Sequence, residues 1–349
     1  MLDDVSVLTR RDSERTLETT ALQYMQTTLD IEILSSEHDG RSLENIVAAG
    51  MGGSGLAAQL AKTWLDGELY LPFEVSQGYK LPSYVGTGSL VIVSSCSGNT
   101  EEALASLADA QARGAQIAVI TGGGKLQEIA EGADIARVIL TNEQHVQPRM
   151  LTFLQLKALT ALLHHFGLVS AERLDEIAQT SEWLAEQSRQ WTAEVTTDHN
   201  YAKQLALQAV GKTPVFYGGE LTWSLAYKWK ISWNENAKNV AFWNRYPEVS
   251  HNEFMGWTSH PVEKPFAVFD LVSQFENGQI KKRFEITDRL LSGKRPKAMT
   301  IELAGDTLLK QLFWGNVLAD YASIYTAVLN NVDPGPVPLI TKLKQELAG

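Results

Sequence analysis

The sequence predicts an α/β protein of two domains, each a mostly parallel sheet flanked by helices, with a leading helix and a C-terminal tail. Three observations carry this. Apolar, β-branched runs alternate with helical patterns along the chain, and alternation of that length builds parallel sheets covered on both faces. Two of those runs end abruptly in small Gly and Ser residues that lead into helix-forming sequence. A third, Pro214-Val215-Phe216-Tyr217 followed by Gly218-Gly219, repeats the strand, Gly-Gly, helix order in the second half as a degenerate copy. At 349 residues the chain also exceeds the length over which one core usually keeps growing. The expected division is an N-terminal helical segment over 1–39, a first domain over 40–168, a helical connection over 169–198 and a second domain over 199–349.

Taken in order, residues 13–34 place Leu17, Leu22, Met25, Leu29 and Ile33 at helical spacing and predict an amphipathic leading helix. Residues 44–50 read as a short buried strand. The loop Met51-Gly52-Gly53-Ser54-Gly55 follows, with a helix running through Trp64. It carries no Walker lysine, so the nucleoside triphosphate reading is weak. Strands are expected over 73–76, 90–94, 116–121 and 136–140, with helices over 100–113 and 125–131. Residues 150–190 are largely helical with a break near Gly167-Leu168-Val169-Ser170, where Ser170 is placed to cap a new helix. The second half adds a helical run to Lys238, strands over 266–272 and 298–303, and helices over 278–291 and 306–329.

The stretch Leu90-Val91-Ile92-Val93-Ser94-Ser95-Cys96-Ser97-Gly98-Asn99-Thr100-Glu101-Glu102 organises the first half. A strand that stops at a loop and restarts as a helix leaves backbone N–H groups unpaired at the positive end of the helix dipole, where an anion is held. Ser95, Ser97 and Thr100 add hydroxyl donors, and a phosphate site is the functional expectation. An ordinary helix cap is the plain alternative. In parallel sheets ligands collect beyond the carboxyl ends of strands, so this loop and the Gly52-Gly53-Ser54 loop are expected to line one pocket.

Composition narrows the function further. The hydrophobic content of 44% is that of a globular protein, and the formal net charge of −11 argues against a nucleic-acid surface. The compact basic run Lys281-Lys282-Arg283 reads as a solvated helix face. One cysteine, Cys96, excludes an intrachain disulfide and a cysteine-based zinc cluster. No long uncharged apolar run or leader pattern is visible, and a cytoplasmic protein is expected.

Two segments of the second half offer proton-transfer groups. Trp233-Asn234-Glu235-Asn236-Ala237-Lys238 sets an acid among amides on an aromatic helix, and Tyr246-Pro247-Glu248-Val249-Ser250-His251-Asn252-Glu253 sets a histidine in a proline-containing loop. Singly, an exposed Glu is more often surface solvation and a loop His more often a hydrogen-bonded structural residue. Together with Gly50-Met51-Gly52-Gly53-Ser54-Gly55, Ser95-Cys96-Ser97-Gly98-Asn99-Thr100, Gln147-Pro148-Arg149 and the tail from Asp333-Pro334 to Leu343-Lys344, they occur in an order that resembles the bifunctional phosphoglucose/phosphomannose isomerase family, of the sugar isomerase (SIS) fold. The resemblance runs from about residue 40 to the C-terminus.

The resemblance implies two SIS-type domains, a homodimer and a hexose 6-phosphate substrate, with no cofactor, metal, nucleic acid or membrane as partner. It implies that Gly53, Ser54, Ser95, Ser97 and Thr100 bind the substrate phosphate. It further implies that Glu235 is the catalytic base, that Arg149 stands beside the developing enediolate, and that His251, donated across the subunit interface, assists ring opening with Lys344. Lys342 is the nearby alternative for the tail lysine. The chemistry agrees. Aldose–ketose isomerisation moves a proton between C2 and C1 through a cis-enediol, which one carboxylate can carry. A fixed guanidinium stabilises the oxygen charge more in the transition state than in the ground state. Ring opening needs a proton taken and a proton given, which suits an imidazole with an ammonium nearby.

Cys96 departs from the family's usual tyrosine, and the bulky Met150-Leu151-Thr152-Phe153 replaces smaller residues, which bears on sugar choice. His164-His165 diverge by about 100° on a helix and make no i, i+4 metal pair. Trp223, Trp229, Trp233, Trp243 and Trp257 read as packing and interface rather than a sugar-stacking platform. A mannose 6-phosphate-restricted isomerase and a noncatalytic sugar-phosphate sensor are the rival functions.

Overall fold

The computed structural model describes residues 1–35, 38–141, 146–259 and 265–347. The chain divides into two compact units, Gln23–Glu182 and Met1–Leu22 with Trp183–Gly349, here called the first and second domains. Helices α1 (Val5–Arg11) and α2 (Thr16–Ala21) open the chain within the second domain. The expected single helix over 13–34 does not form. It stops at Ala21, and a 3-10 turn over Gln23–Thr27 follows in the first domain. There the Gln26 amide donates to the Met150 carbonyl at 2.8 Å and accepts from the Leu154 N–H at 3.2 Å, while Lys157 donates to the Thr27 carbonyl at 2.9 Å. These buried bonds hold the backbone in a shape a continuous helix does not offer. Leu22, Met25 and Leu29 consequently stand 38–50% exposed.

The first domain runs β1 (Asn45–Ala49), α3 (Gly52–Trp64), β2 (Phe73–Ser76), β3 (Ser89–Ser95), α4 (Glu101–Ala112), β4 (Gln116–Thr121), α5 (Gly124–Gly132), β5 (Ala136–Ile139), α6 (Thr152–His165) and α7 (Glu172–Gln179). Its sheet is parallel throughout, in the order β2-β1-β3-β4-β5. Val47, Val91, Val93 and Val119 pack against Ala103 and Leu107 of α4 and Leu126 of α5. The alternate residues Ala48, Ile92 and Ile120 turn to Ala57 and Ala58 of α3 and Leu159 of α6. With α3 and α4 on opposite faces, the chain reverses direction across the sheet between β1 and β3, which is where such sheets open a ligand crevice. The register Ala48↔Ile92 and Ala49↔Val93 brings the two strands out side by side. Ser170 caps as expected, its Oγ accepting from the Glu172 N–H at 3.1 Å.

The second domain adds α8 (Ser181–Arg189), α9 (Tyr201–Ala209), β6 (Thr213–Gly218), α10 (Trp223–Glu235), β7 (Phe242–Arg245), α11 (Glu253–Gly256), β8 (Phe266–Val272), α12 (Gly278–Leu290), β9 (Met299–Glu302), α13 (Leu308–Leu329) and α14 (Pro338–Leu347). Its sheet is parallel in the order β7-β6-β8-β9. Strand β7 was not expected. It has four residues, lies at the sheet edge and buries none of them fully, so it lacks the apolar pattern that marks an interior strand.

Helix α13 is buried almost along its whole length, as a helix apolar on nearly every side must be. One of its polar residues is paired across to α10: Asp320 Oδ1 accepts from Lys228 Nζ at 2.7 Å and Ser232 Oγ at 2.9 Å. Both ionic side chains are 0% exposed, and removing one partner from such a pair costs about 3–5 kcal/mol. Trp229 and Trp233 of α10 stack at 5.4 Å beside Phe216 and Phe269, so these tryptophans belong to the core. No helix among the described residues is long and apolar enough to cross a membrane.

Asp270 of β8 lies on the α12 face, 1% exposed, with Oδ1 lacking a hydrogen-bond partner. Burial pushes its carboxyl up to about 7, partly opposed by the Arg295 charge. Because the folded state holds this proton more tightly than the unfolded chain, Asp270 contributes most below the ordinary carboxylate pKa, and the contribution is lost as pH rises to about 7. Asp270→Asn should therefore raise stability at pH 8 by roughly 1–4 kcal/mol. The gain should shrink towards zero below pH 4. Urea midpoints measured at both pH values check this.

Candidate active site

The phosphate-site expectation falls at the carboxyl ends of β1 and β3. Ser95 closes β3, and its buried Oγ lies 2.9 Å from Thr100 Oγ1 at the start of α4. Ser97 is exposed on the loop between them, with its Oγ accepting from the Asn99 N–H at 3.3 Å. Gly98, at φ +64°, sits against the Gly123 carbonyl and has no room for a side chain. Ser54, in the first turn of α3, points its Oγ at Cys96 Sγ across 3.8 Å and so links the two loops. Burial pushes the Cys96 thiol up to about 11. It stays neutral at physiological pH and adds no negative charge against a bound phosphate. The first turns of α3 and α4 supply the backbone N–H donors that an anion needs.

Arg149 is brought to the same place. It lies in a 3-10 turn, Pro148–Met150, and is 1% exposed. Gly53 is what allows the turn so close: a Cβ on Gly53 would meet the Pro148 carbonyl oxygen at 2.7 Å and the Arg149 nitrogen at 2.8 Å. The turn is held by Gln155 Nε2 on the Pro148 carbonyl at 3.0 Å, Thr152 Oγ1 on the Arg149 carbonyl at 3.1 Å, and Gln26 on Met150. Met150, Leu151, Thr152 and Phe153 are all buried. Their bulk fills the core rather than an exposed wall.

The second domain carries the other expected residues. Glu235 is the last residue of α10 and is half-buried. Just beyond it, Asn236 donates to Ser323 Oγ at 2.9 Å, and Lys238 donates to the Glu235 carbonyl and, at 3.1 Å, to the Pro334 carbonyl. The tail thus leaves from beside the helix end that bears Glu235. Lys344 and Lys342 both stand exposed on α14, Lys342 within 3.7 Å of Glu346. His251 ends a 3-10 turn and is exposed. The loop behind it is rigidly tied. Glu253 accepts from Tyr217 Oη and from Asn244 Nδ2 at 2.6 Å, and Trp257 Nε1 donates to Tyr217 Oη at 3.2 Å.

In the second-half copy of the glycine loop, the anion is internal. Glu276 accepts from the Glu220 N–H at 3.2 Å and the Leu221 N–H at 3.1 Å, beside Gly219, which has no room for a Cβ there. Burial raises the Glu276 pKa. A larger cavity of about 680 Å³ lies under α12, but its walls set Asp270, Glu285, Asp288 and Glu302 against one lysine, Lys281, a balance unfavourable to phosphate. Among the described residues no group of three His, Cys, Asp or Glu side chains is placed to hold a metal.

Sequence reading missed Gln155, Gln26, Tyr217 and Asn244. They carry no motif, and what singles them out is a hydrogen bond to a distant segment.

Residues 41–165 match the SIS domain family, and residues 198–347 match the bacterial phospho-glucose isomerase C-terminal SIS domain. The chain is 35% identical over 312 residues to a bifunctional phosphoglucose/phosphomannose isomerase of Caldicellulosiruptor bescii, covering 88% of this chain and 90% of that one. The chain belongs to the bifunctional phosphoglucose/phosphomannose isomerase family. The member from Aquifex aeolicus is 32% identical over 308 residues, covering 87% of this chain and 90% of its own length. The fold is shared with a glucose-6-phosphate isomerase like protein from Thermus thermophilus, at TM-score 0.65 and 17% identity over 99% of this chain and 98% of the other.

The Gly53 contact gives a direct prediction. Gly53→Ala should cost roughly 1–3 kcal/mol, because backbone atoms must move aside, and should weaken binding of fructose 6-phosphate. Denaturation midpoints and binding isotherms read both effects, and an unchanged pair of values would show that the turn has slack.

Proposed function

We propose that the chain interconverts glucose 6-phosphate, mannose 6-phosphate or both with fructose 6-phosphate by moving a proton between C2 and C1 through a cis-enediol. The observation that carries this reading is the close approach at Gly53, which sets the anion-binding start of α3 against the turn bearing a buried guanidinium. Gly53, Ser54, Ser95, Ser97 and Thr100 grip the phosphate, which the reaction leaves unchanged and which orients the reacting carbons. Arg149 faces the oxygen on which charge develops. Glu235 removes the proton from one carbon and returns it to the other. His251 and Lys344 take and give the protons of ring opening. One base serves glucose and mannose epimers if the open chain rotates about C2–C3. The sequence of steps calls for no metal or cofactor.

The chain acts as a homodimer in this reading, with His251 reaching the partner's site. Its support is the exposure of a histidine whose supporting loop is so firmly bonded. A cytoplasmic location belongs to the same proposal, since sugar phosphates carry charges that do not cross a bilayer unaided.

Two measurements test it. Glu235→Gln should lower turnover of each hexose phosphate by roughly 10² to 10⁴-fold while binding of fructose 6-phosphate persists. Near-normal turnover would place the base elsewhere, and no turnover by the unaltered chain would favour the sensor. Glu235→Gln and His251→Ala chains, each impaired alone, should regain activity when mixed dimers form, because one site per dimer is then intact. Absence of recovery would assign His251 to its own subunit's site.

A further inference from the structure

Behind the phosphate loops, two buried polar atoms lack partners. Gln155 is 1% exposed on α6, and its amide orientation is set because Nε2 donates to the Pro148 carbonyl at 3.0 Å. That leaves Oε1 facing inward with no hydrogen-bond partner. Ser94, the residue before Ser95 on β3, is 7% exposed, and its Oγ is likewise unpaired. Both side chains line one small space of about 10 Å³, together with Gly50 and Ser54 of the first glycine loop and otherwise apolar residues such as Ala48 and Ile92. That volume matches a single water, and two polar atoms facing it meet the condition under which a buried water is held rather than an empty cavity kept.

We propose that Gln155 is a positioning residue: through one buried water shared with Ser94, it ties the carboxyl end of β3 to the turn that carries Arg149. The water donates one hydrogen to Gln155 Oε1 and accepts from Ser94 Oγ. Gln155 passes the constraint on through Nε2 to the Pro148 carbonyl, one residue before Arg149. The strand that ends in Ser95 and the turn that carries Arg149 therefore move as one piece, which fixes the distance between phosphate grip and guanidinium. Gln155 itself touches no substrate atom. The proposal rests on the isomerase reading for its kinetic effect and on packing alone for its water.

The test combines crystallography with a double-mutant cycle. A high-resolution structure of the unaltered protein should show one ordered water between Gln155 and Ser94, and Gln155→Leu should remove it. With fructose 6-phosphate as substrate, Gln155→Leu should lower kcat by about 10- to 100-fold, the scale of a small misplacement of a catalytic group, and change KM less than about threefold, since the phosphate contacts remain. In an Arg149→Ala background the same change should cost less than about twofold, because its effect passes through Arg149. Ser94→Ala, which removes only the water's second anchor, should show the same pattern in smaller measure and serves if Gln155→Leu fails to fold. An equal loss in both backgrounds, or an empty space in the unaltered structure, overturns the proposal. A protein that holds the water yet turns over no hexose phosphate would instead overturn the isomerase reading.

Discussion

The proposed phosphate site depends on a missing side chain. Gly53 lets the first turn of α3 lie against the backbone of Pro148 and Arg149 at distances that no Cβ permits. The parallel pairing of β1 with β3 brings the two loops out together, and the contact at Gly53 adds the third component, a cation with its guanidinium stem sunk in the protein. In the proposed function, an acidic chain, at net charge −11, would hold a dianion locally with directed amides, hydroxyls and one fixed positive charge. Cys96 fits the same logic. Its thiol is neutral because it is buried, so a residue that departs from the family pattern still does not oppose phosphate.

The second domain solves a different problem with the same topology. Its own Gly-Gly junction is closed by the Glu276 carboxylate, which takes up the backbone donors that a phosphate would otherwise use. At its carboxyl end α10 presents a half-buried Glu235. The Lys228–Asp320 pair and the Asn236–Ser323 bond clamp that helix to α13, and Lys238 links its end to the root of the tail. The proposed role of Glu235 as a general base requires a fixed position, and this clamp is built from buried polar contacts that are costly to break.

Much of this was legible in the residues, for physical reasons. Strands β1, β3 and β8 are interior strands buried on both faces, so their apolar runs are continuous, and small residues after β1 and β3 mark the places where backbone must approach backbone. The leading helix was misread because helical spacing of Leu22, Met25 and Leu29 says nothing about Gln26, whose bonds to Met150 and Leu154 end the helix. Strand β7 escaped because an edge strand with exposed Phe242 and Arg245 has no burial pattern to show. The anchors of Arg149 and His251 were invisible for a related reason: a lone Gln or Tyr gains its meaning from a partner many residues away, as Tyr217 does from Glu253.

The proton-transfer route through Glu235 is tested most directly by following the label of C2-deuterated glucose 6-phosphate in ordinary water. A carboxylate that carries the proton exchanges it with solvent in some turnovers, so fructose 6-phosphate sampled early should have lost a measurable share of its deuterium to water. Complete retention of the deuterium at C1 in every turnover would contradict a carboxylate that carries the proton and exchanges it with water.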